Sequence, residues 1–464
     1  MKIHKSYKFR LKPDKEQKQL LLQRTGSSRF VWNKLVEFNQ QYRKENNNKF
    51  PSQVILQKEI VKLKNKEGNK FIKLTHSQPL QINAKRINEV NFKAIKPEVI
   101  QARKQKIAKV ISEENKKTKK YKNYNHKKTL ANAFNHGFPH FKKKSDMNGS
   151  LFYPQNFKIK RSRIFFAKLG WINFVKHRKV EGKIKSITII QDGEQWNISI
   201  CSELELQIPK TPISINDINI DNVIGIDVGI KEFATFSDGT VIHNLKISNK
   251  YADRLKKEQR KLSKKQFVEK VINGKKTKVS SSNRNKQKEK VRKIYRKMKN
   301  IRKDFLHKLS YRIITKYDGV IIETLDIKNM LQKNDKNMNR NTCDVSWYEF
   351  GIMLEYKSLW KYKLFHKIDK YFASSQICSE CGNTQEMLLS QRTYVCNCCG
   401  AIIDRDLNGS INIRNEGISN LKQMEIKNKN TPATGGIYAC EQSILVDWMK
   451  QEIDNTIQVI QKIA

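Results

Sequence analysis

The run CSECGNTQEMLLSQRTYVCNCCGAIIDRDLN, residues 378–408, carries the densest information in the chain. Cys378 and Cys381 form one C-x-x-C pair, Cys396 and Cys399 form a second, and fourteen residues separate them. Paired knuckles at this spacing place four thiolates tetrahedrally around one Zn²⁺. Asp404-Arg405-Asp406-Leu407-Asn408 follows almost at once. A zinc ribbon alone is a folding or binding module, and its informative feature here is that it leads directly into a carboxylate-bearing segment.

Upstream, Val223-Ile224-Gly225-Ile226-Asp227-Val228-Gly229 reads as a buried strand ending in a carboxylate and a glycine. Phe233 to Phe236, the turn Asp238-Gly239 and Thr240 to Ile242 read as the next hairpin. Gly319 to Ile322 is another apolar strand, with Glu323 at its end. A charged carboxylate inside an apolar run costs several kcal/mol unless it is paired or bound to metal. Asp227 or Glu323 alone fits a strand-edge ion pair as well as a catalytic role. With Asp406 they become three carboxylates on separate elements of a mixed α/β domain, hard oxygen ligands suited to Mg²⁺. Two such ions about 4 Å apart activate a water and stabilise the leaving oxygen of a phosphodiester.

Between these strands, Ser248 to Lys316 reads as a long basic helical region. Val291, Ile294, Met298, Ile301, Phe305, Leu309 and Ile313 recur every three or four residues along it, one apolar stripe that predicts core contact. Lys328 to Val345 reads as a long polar loop, either a surface loop or a lid.

At the N-terminus, Tyr7, Phe9 and Leu11 alternate with Lys8, Arg10 and Lys12, a strand with one basic face. Pro13 ends it. Asp14 and Gln17 have the spacing of a capping box, opening a helix with Leu20, Leu21, Phe30, Val31, Leu35 and Phe38 on its apolar side. Residues 15 to 130 read as mostly helical. Their Lys-rich part, Arg103 to Lys128, fits a solvated segment or a polyanion contact. From Leu151 the pattern becomes β: Phe157 and Ile159 alternate with lysines, and Ile187 to Ile190 is β-branched. Asp192-Gly193 signals a hairpin, and Trp196, Ile198 and Ile200 alternate on its return strand. These strands predict a small barrel completed by Tyr7 to Leu11, with the helical block inserted into it.

Composition agrees with a polyanion partner. The 464 residues carry 93 Lys and Arg against 44 Asp and Glu, a net charge of +49 that repels itself unless neutralised. Nucleic acid neutralises it through phosphate contacts and counterion release. A ribosomal or histone-like role would explain the charge but would not need the carboxylates. No apolar run reaches a membrane span of about 18 residues, and Met1 to Leu11 lacks the apolar stretch of a signal peptide. Eight cysteines, four in a metal pattern, fit a reducing cytoplasm. Cys201, Cys343 and Cys440 are read as ordinary thiols, and Cys398, inside the second knuckle, as a possible competitor for the metal.

Ile224 to Gly229, Ile321-Ile322-Glu323, the knuckles and Asp404 to Asn408 resemble the RuvC motifs and zinc ribbon of TnpB. TnpB is the OrfB-type, transposon-encoded RNA-guided nuclease, related to the compact type V CRISPR nucleases. Tyr7 to Leu11 with Phe30-Val31-Trp32-Asn33 resembles the family's N-terminus, and Gly137-Phe138-Pro139-His140-Phe141-Lys142 its entry into the barrel. Trp347 to Trp360 with Ser374-Ser375-Gln376 resembles the approach to the ribbon. Coverage is roughly residues 1 to 416.

The resemblance implies a multidomain α+β and α/β architecture. A β-barrel wedge domain (1–14 and 150–212) holds an inserted helical recognition domain (15–149). An RNase H-like RuvC domain (213–375, with its final motif at 401–416) holds an inserted zinc ribbon (376–400), and a tail spans 417–464. Ser443 to Ile463 in that tail has the spacing of one amphipathic helix. The resemblance also implies a guide RNA, a double-stranded DNA target beside a short motif read by the protein, and residence in a bacterial or archaeal cytoplasm on the nucleoid. Carried over by position, Asp227, Glu323 and Asp406 are the three catalytic carboxylates holding two Mg²⁺, and Cys378, Cys381, Cys396 and Cys399 hold one structural Zn²⁺. Asp404 is the rival for the third carboxylate. Arg405 either pairs with Asp404 or touches the scissile phosphate. Gly409-Ser410 stands where many relatives have two alanines, small enough to keep close helix packing. One site must cut both strands, since no second nuclease motif is present. No His-apolar-His pair of single-strand transposases occurs among the nine histidines. A compact type V CRISPR effector, or a guide-dependent binder without cleavage, would share these motifs in whole or in part.

Overall fold

The structure is a computed structural model, and it describes residues 2–115, 133–143, 148–207, 209, 213–272, 275–333, 336–388 and 391–429. Two compact units divide near residue 206. The Lys-rich run beyond Asn115, Cys440 and Ser443 to Ile463 lie outside the described residues.

In the first unit β1 (Lys2–Lys12) buries Ile3, Tyr7, Phe9 and Leu11 and exposes Lys8 and Arg10, the period of two expected of a half-buried strand. The capping box at Asp14 is formed: its Oδ1 accepts the Gln17 N–H at 2.7 Å, and Gln17 Oε1 accepts the Asp14 N–H at 3.2 Å. It starts α1 (Lys15–Glu45), followed by α2 (Gln53–Asn65), α3 (Ser77–Ala94) and α4 (Pro97–Asn115). Val31, Leu35, Leu56, Ile60, Leu80 and Ile87 make the core between α1, α2 and α3.

The chain then returns to β structure: β2 (Ser150–Tyr153), β3 (Phe157–Lys160), β4 (Arg163–Phe166), β5 (Gly170–Val175), β6 (Lys183–Asp192) and β7 (Gln195–Glu205). Their order is β2-β6-β7-β1-β5-β4-β3, so the first strand lies in the middle of the sheet and α1 to α4 interrupt it in chain order. Asp192 pairs with Gln195 across the hairpin, and Gly193 takes φ +61° there. Tyr7, Phe9, Tyr153, Phe166, Ile172 and Ile200 gather in one cluster on the concave side. The expected barrel is not closed by hydrogen bonds: β2 and β3 are the outer strands, giving an open, curled sheet.

The second unit is built on a five-stranded sheet. Its first members are β8 (Val223–Val228), β9 (Glu232–Phe236) and β10 (Val241–His243). The basic region read as continuous helix is α5 (Ile247–Lys250) and α6 (Ala252–Ser263), then a hairpin of β11 (Phe267–Ile272) and β12 (Lys275–Ser280), then α7 (Ser282–Lys316). The hairpin corrects the helical reading. Its signal is present in the sequence as the aromatic and β-branched Phe267, Val268, Val271 and Ile272 followed by Asn273-Gly274, a favoured two-residue turn. The apolar stripe of α7 is confirmed, with Val291, Ile294, Met298, Leu309 and Ile313 buried.

The sheet is completed by β13 (Gly319–Glu323) and, after α8 (Ile327–Lys333), α9 (Lys336–Val345) and α10 (Trp347–Lys361), by β14 (Leu364–Ile368). The stretch read as a loop from Lys328 is therefore largely helical. Its end is pinned: buried Asp344 accepts the Ser248 N–H at 2.8 Å and pairs with Arg302. Strand order is β10-β9-β8-β13-β14, with β8, β13 and β14 parallel and the hairpin side antiparallel. Beyond it come the short hairpin β15 (Thr393–Val395) and β16 (Ile402–Asp404), then α11 (Arg405–Lys429). No helix among the described residues is long and apolar enough to cross a membrane.

Candidate active site

The parallel register pairs Ile226 with Ile322, and one step further it brings Asp227 beside Glu323 at the carboxyl ends of β8 and β13. Both lie where apolar strands emerge from a core of Ile224, Ile226, Val320 and Ile322. The third carboxylate arrives on α11, which crosses β8 closely. A Cβ on Gly225 would stand 2.2 Å from the Ser410 carbonyl oxygen, and one on Gly417 would stand 2.4 Å from Ile321. Glycine at both positions is what lets the helix approach. A Cβ on Gly409 would lie 3.4 Å from Asp227 Oδ2, so the first turn of α11 sits over Asp227.

Asp404 and Asp406 take different parts there. Asp404 Oδ1 accepts the backbone N–H groups of Asp406 at 2.9 Å and Leu407 at 3.1 Å, which makes Asp404 the helix cap. Asp406 lies in the first turn, and its charge acts on Asp227. Arg405 reaches Asp406 at 3.2 Å, and Arg392 of the ribbon reaches it at 3.7 Å.

The electrostatics express this crowding. Burial, then the neighbouring Glu323 and Asp406 charges, push Asp227 up to about 8, against the opposing pull of Arg405. Burial pushes Glu323 up to about 7. Two adjacent carboxyls that resist ionising at neutral pH form a site that stabilises added positive charge, and their hard oxygens suit a divalent cation such as Mg²⁺. The carboxylate oxygens are spread more widely than the cysteine sulfurs: among the described residues only Cys378, Cys381, Cys396 and Cys399 form a group of potential ligands all within 4.8 Å of one another.

That cysteine group has the geometry of a tetrahedral ion site. The Cys378–Cys399 sulfurs are 3.7 Å apart and the Cys381–Cys396 sulfurs 3.6 Å. Four ligands at about 2.3 Å from zinc would have sulfurs about 3.8 Å apart, so the set could bind zinc. Each knuckle repeats one backbone pattern. The Gly382 N–H donates to Cys378 O and the Gly400 N–H to Cys396 O, with both glycines at positive φ, +76° and +75°. Cys398 stays outside the group and donates its backbone N–H toward Cys396 Sγ at 3.4 Å.

Sequence reading treated Asn408 only as a landmark, and the structure gives it a task. Fully buried, it accepts the Ser379 N–H at 2.9 Å and donates to the Ile377 carbonyl at 2.7 Å, gripping both sides of Cys378. Asn412, one helical turn on, donates to Ile377 O at 2.6 Å and Ser374 O at 2.8 Å. The readable signal was two asparagines at an i, i+4 spacing, on one face of the helix.

Comparison with known proteins follows the same map. Residues 347–413 match the model described as "Cas12f1-like, TNB domain", residues 200–334 one described as "Probable transposase", OrfB of the IS605 type, and residues 1–48 its "Helix-turn-helix domain". The "Putative RNA-guided DNA endonuclease InsQ" of Escherichia coli K12 is 29% identical over 429 residues, covering 89% of this chain and 92% of that protein. TnpB-like protein L79 of Acanthamoeba polyphaga mimivirus is 27% identical over 203 residues, 42% of this chain and 38% of that one. The chain is a relative of the TnpB proteins. A "Putative RNA-guided DNA endonuclease" of Streptomyces pristinaespiralis is 34% identical to this TnpB relative over 237 residues, half of this chain and 53% of the other. Among solved structures, a Cas12f1–sgRNA–target DNA complex shares 13% identity over 89% of this chain and 99% of its own, at a TM-score of 0.39. In the TnpB relative described here, the segment matched as helix-turn-helix is one strand and a single 31-residue helix.

Proposed function

We propose that this protein is an RNA-guided DNA endonuclease that cuts double-stranded DNA beside a short target-adjacent motif, within a transposon context, at a single RuvC site. The observation that carries the reading is the gathering of Asp227, Glu323 and Asp406 at one end of a five-stranded sheet, with the first two resisting ionisation because of burial and, for Asp227, its neighbours. The 3-2-1-4-5 strand order of that sheet supports an RNase H-like domain. The cysteine hairpin supports an inserted zinc ribbon, and the curled sheet interrupted by helices supports a wedge domain carrying a recognition domain. The names carried by the relatives support the RNA guide and the DNA target.

Two Mg²⁺ ions, when bound, would supply an activated water and charge stabilisation for phosphodiester hydrolysis, leaving a 5′ phosphate and a 3′ hydroxyl. The protein's own part is to fix the oxygens that would hold them. Adjacent strand ends hold Asp227 and Glu323 rigidly. Asp404 orders the first turn of α11 and so fixes Asp406, while its own oxygen is occupied as a cap. Arg405 and Arg392 lie against Asp406 and balance its charge. Asn408 ties the ribbon to that same turn, so the ribbon's shape and the carboxylate's position are coupled.

The test is plasmid cleavage by protein co-expressed with its flanking locus, with and without Mg²⁺. Guide-dependent, Mg²⁺-dependent cutting of both strands is expected. Tight guided binding with no cutting would overturn the nuclease reading in favour of a binder.

A further inference from the structure

The hairpin β11–β12 and helix α6 form a projecting arm that none of the carboxylate chemistry uses. Its root is fixed. Arg284, near the start of α7, donates to the Leu262 and Lys265 carbonyls at 2.8 and 2.7 Å and stacks on the Phe267 ring at 4.2 Å. Gln287 adds two bonds to Glu258 of α6. Beyond that root, among the described residues, β11 and β12 pair only with each other. Phe267, Val268 and Val271 are 51, 45 and 68% exposed, far more than the apolar residues of either core.

The register sorts the ribbon's faces. Phe267, Glu269 and Val271 share one face with Lys276 and Lys278, which are exposed. Val271 therefore faces Lys276 and Glu269 faces Lys278, so apolar and cationic side chains share a narrow two-stranded surface with one acid among them. Beside it, α6 presents Lys256, Lys257, Arg260, Lys261 and Lys264 around a concavity of about 460 Å³ with Asp253 as its one acid. Such a surface repels cations and is complementary to a polyanion. A two-stranded ribbon is marginal in water by itself, so apolar exposure on a rigidly rooted one fits a surface that is covered when a partner binds.

We infer that this arm binds duplex DNA, α6 lying on backbone phosphates and the Phe267–Val271 face of the ribbon entering the major groove. The B-form major groove, about 12 Å wide, admits a two-stranded ribbon, whereas the deep, narrow major groove of A-form RNA does not admit side chains. The inference goes beyond the nuclease reading and does not need cleavage.

The experiment measures affinity of the full chain, by fluorescence anisotropy, for a 30-base-pair DNA duplex and a matched RNA duplex across a salt series. Three variants accompany the unaltered protein: Lys256→Glu with Lys257→Glu and Lys264→Glu; Phe267→Ser with Val271→Ser; and a control, Lys308→Glu with Lys361→Glu and Lys422→Glu, exposed lysines outside both the arm and the recognition domain. Circular dichroism melting checks that each is folded. The α6 triple should weaken DNA binding at least tenfold and flatten the slope of log affinity on log salt by about 2.7, the value for three lost phosphate contacts. The Phe267/Val271 pair should weaken DNA binding several-fold with the slope and RNA duplex affinity unchanged. Equal losses with the control triple, or unchanged DNA binding by both arm variants, would overturn the inference. A Phe267/Val271 effect as large on RNA as on DNA would overturn the groove assignment, as would a tighter hold on RNA duplex through the arm.

Discussion

The cysteine site and the carboxylate site meet at the start of the same helix, but they are assembled differently. All four sulfurs come from 22 consecutive residues, Cys378 to Cys399, and two knuckles of identical backbone pattern place them. The three carboxylates are drawn from β8, β13 and α11, elements separated by about a hundred residues at each step, and only the sheet register and a helix crossing bring them together. A local site can be removed by local chemistry. A distributed one is sensitive to anything that shifts one element against another. Asn408 is where the two are joined, since it holds Cys378 from a position two residues beyond Asp406.

The largest effect should follow loss of a thiolate. Structural zinc contributes on the order of 10 kcal/mol to folding its own module, so Cys378→Ser should release the ion and unfold the hairpin. Metal analysis of the purified protein should fall by one equivalent, and guided DNA cleavage should fall with it. Unchanged metal content would refute the ligand assignment, and lost zinc with full cleavage would break the coupling between the sites.

Next comes the carboxylate set. Asp227→Ala, Glu323→Ala or Asp406→Ala should each lower the cleavage rate beyond about 10³-fold, more than removal of a single transition-state hydrogen-bond donor usually costs, while guided DNA binding measured by gel shift stays intact. Asp404→Ala is the contrast: it removes a helix cap worth about 1 kcal/mol, which should appear as a small drop in Tm with most of the cleavage retained. If Asp404→Ala abolished cleavage with Tm unchanged, the division of labour between the two aspartates would be reversed.

The metal-free protein should also show the carboxylates in its pH dependence. Asp227 and Glu323 have folded values of about 8 and 7, above the 3.8 and 4.5 of the free groups. Between those limits the folded state keeps protons that the unfolded chain has lost, so stability contributed by the pair is greatest in acid and is lost as pH rises through 7 to 8. Thermal melts in Mg²⁺-free buffer should therefore show falling Tm across that window. Asp227→Asn should flatten the fall, and saturating Mg²⁺ should do the same in the unaltered protein. A flat profile in all three would remove the case for carboxyls crowded at one point.

A smaller change is expected at the joint. Asn408→Ala leaves the Ser379 N–H without its acceptor, at roughly 1–3 kcal/mol, while Asn412 still donates to the Ile377 carbonyl. It should loosen zinc, seen as faster release to a chelator, and reduce cleavage without touching a carboxylate. Loss of stability alone, with zinc release and cleavage at the original rates, would make Asn408 a packing residue only.

What was legible in the sequence was what short-range chemistry dictates. The capping box at Asp14 and Gln17, the alternation of Tyr7 to Leu11, the stripe along α7 and the two knuckles need only neighbours within a turn or a hairpin, and the structure repeats them residue by residue. The β11–β12 hairpin was legible too, through Asn273-Gly274, but its lysines gave it the composition of the helices around it. Other features had no local signature. That the first strand sits mid-sheet, that the curled sheet stays open, that Lys328 to Val345 folds as two helices against the core, and that Arg405 turns to Asp406 depend on what packs opposite. The side-by-side placing of Asp227 and Glu323 is of this kind. Nothing within ten residues of either states the register, which is set by burial of both faces of a parallel sheet and by two glycines that let α11 come close. The residue types came from the chain, and their meeting came from the packing, because carboxylates crowd together only where a buried core holds them against their own repulsion.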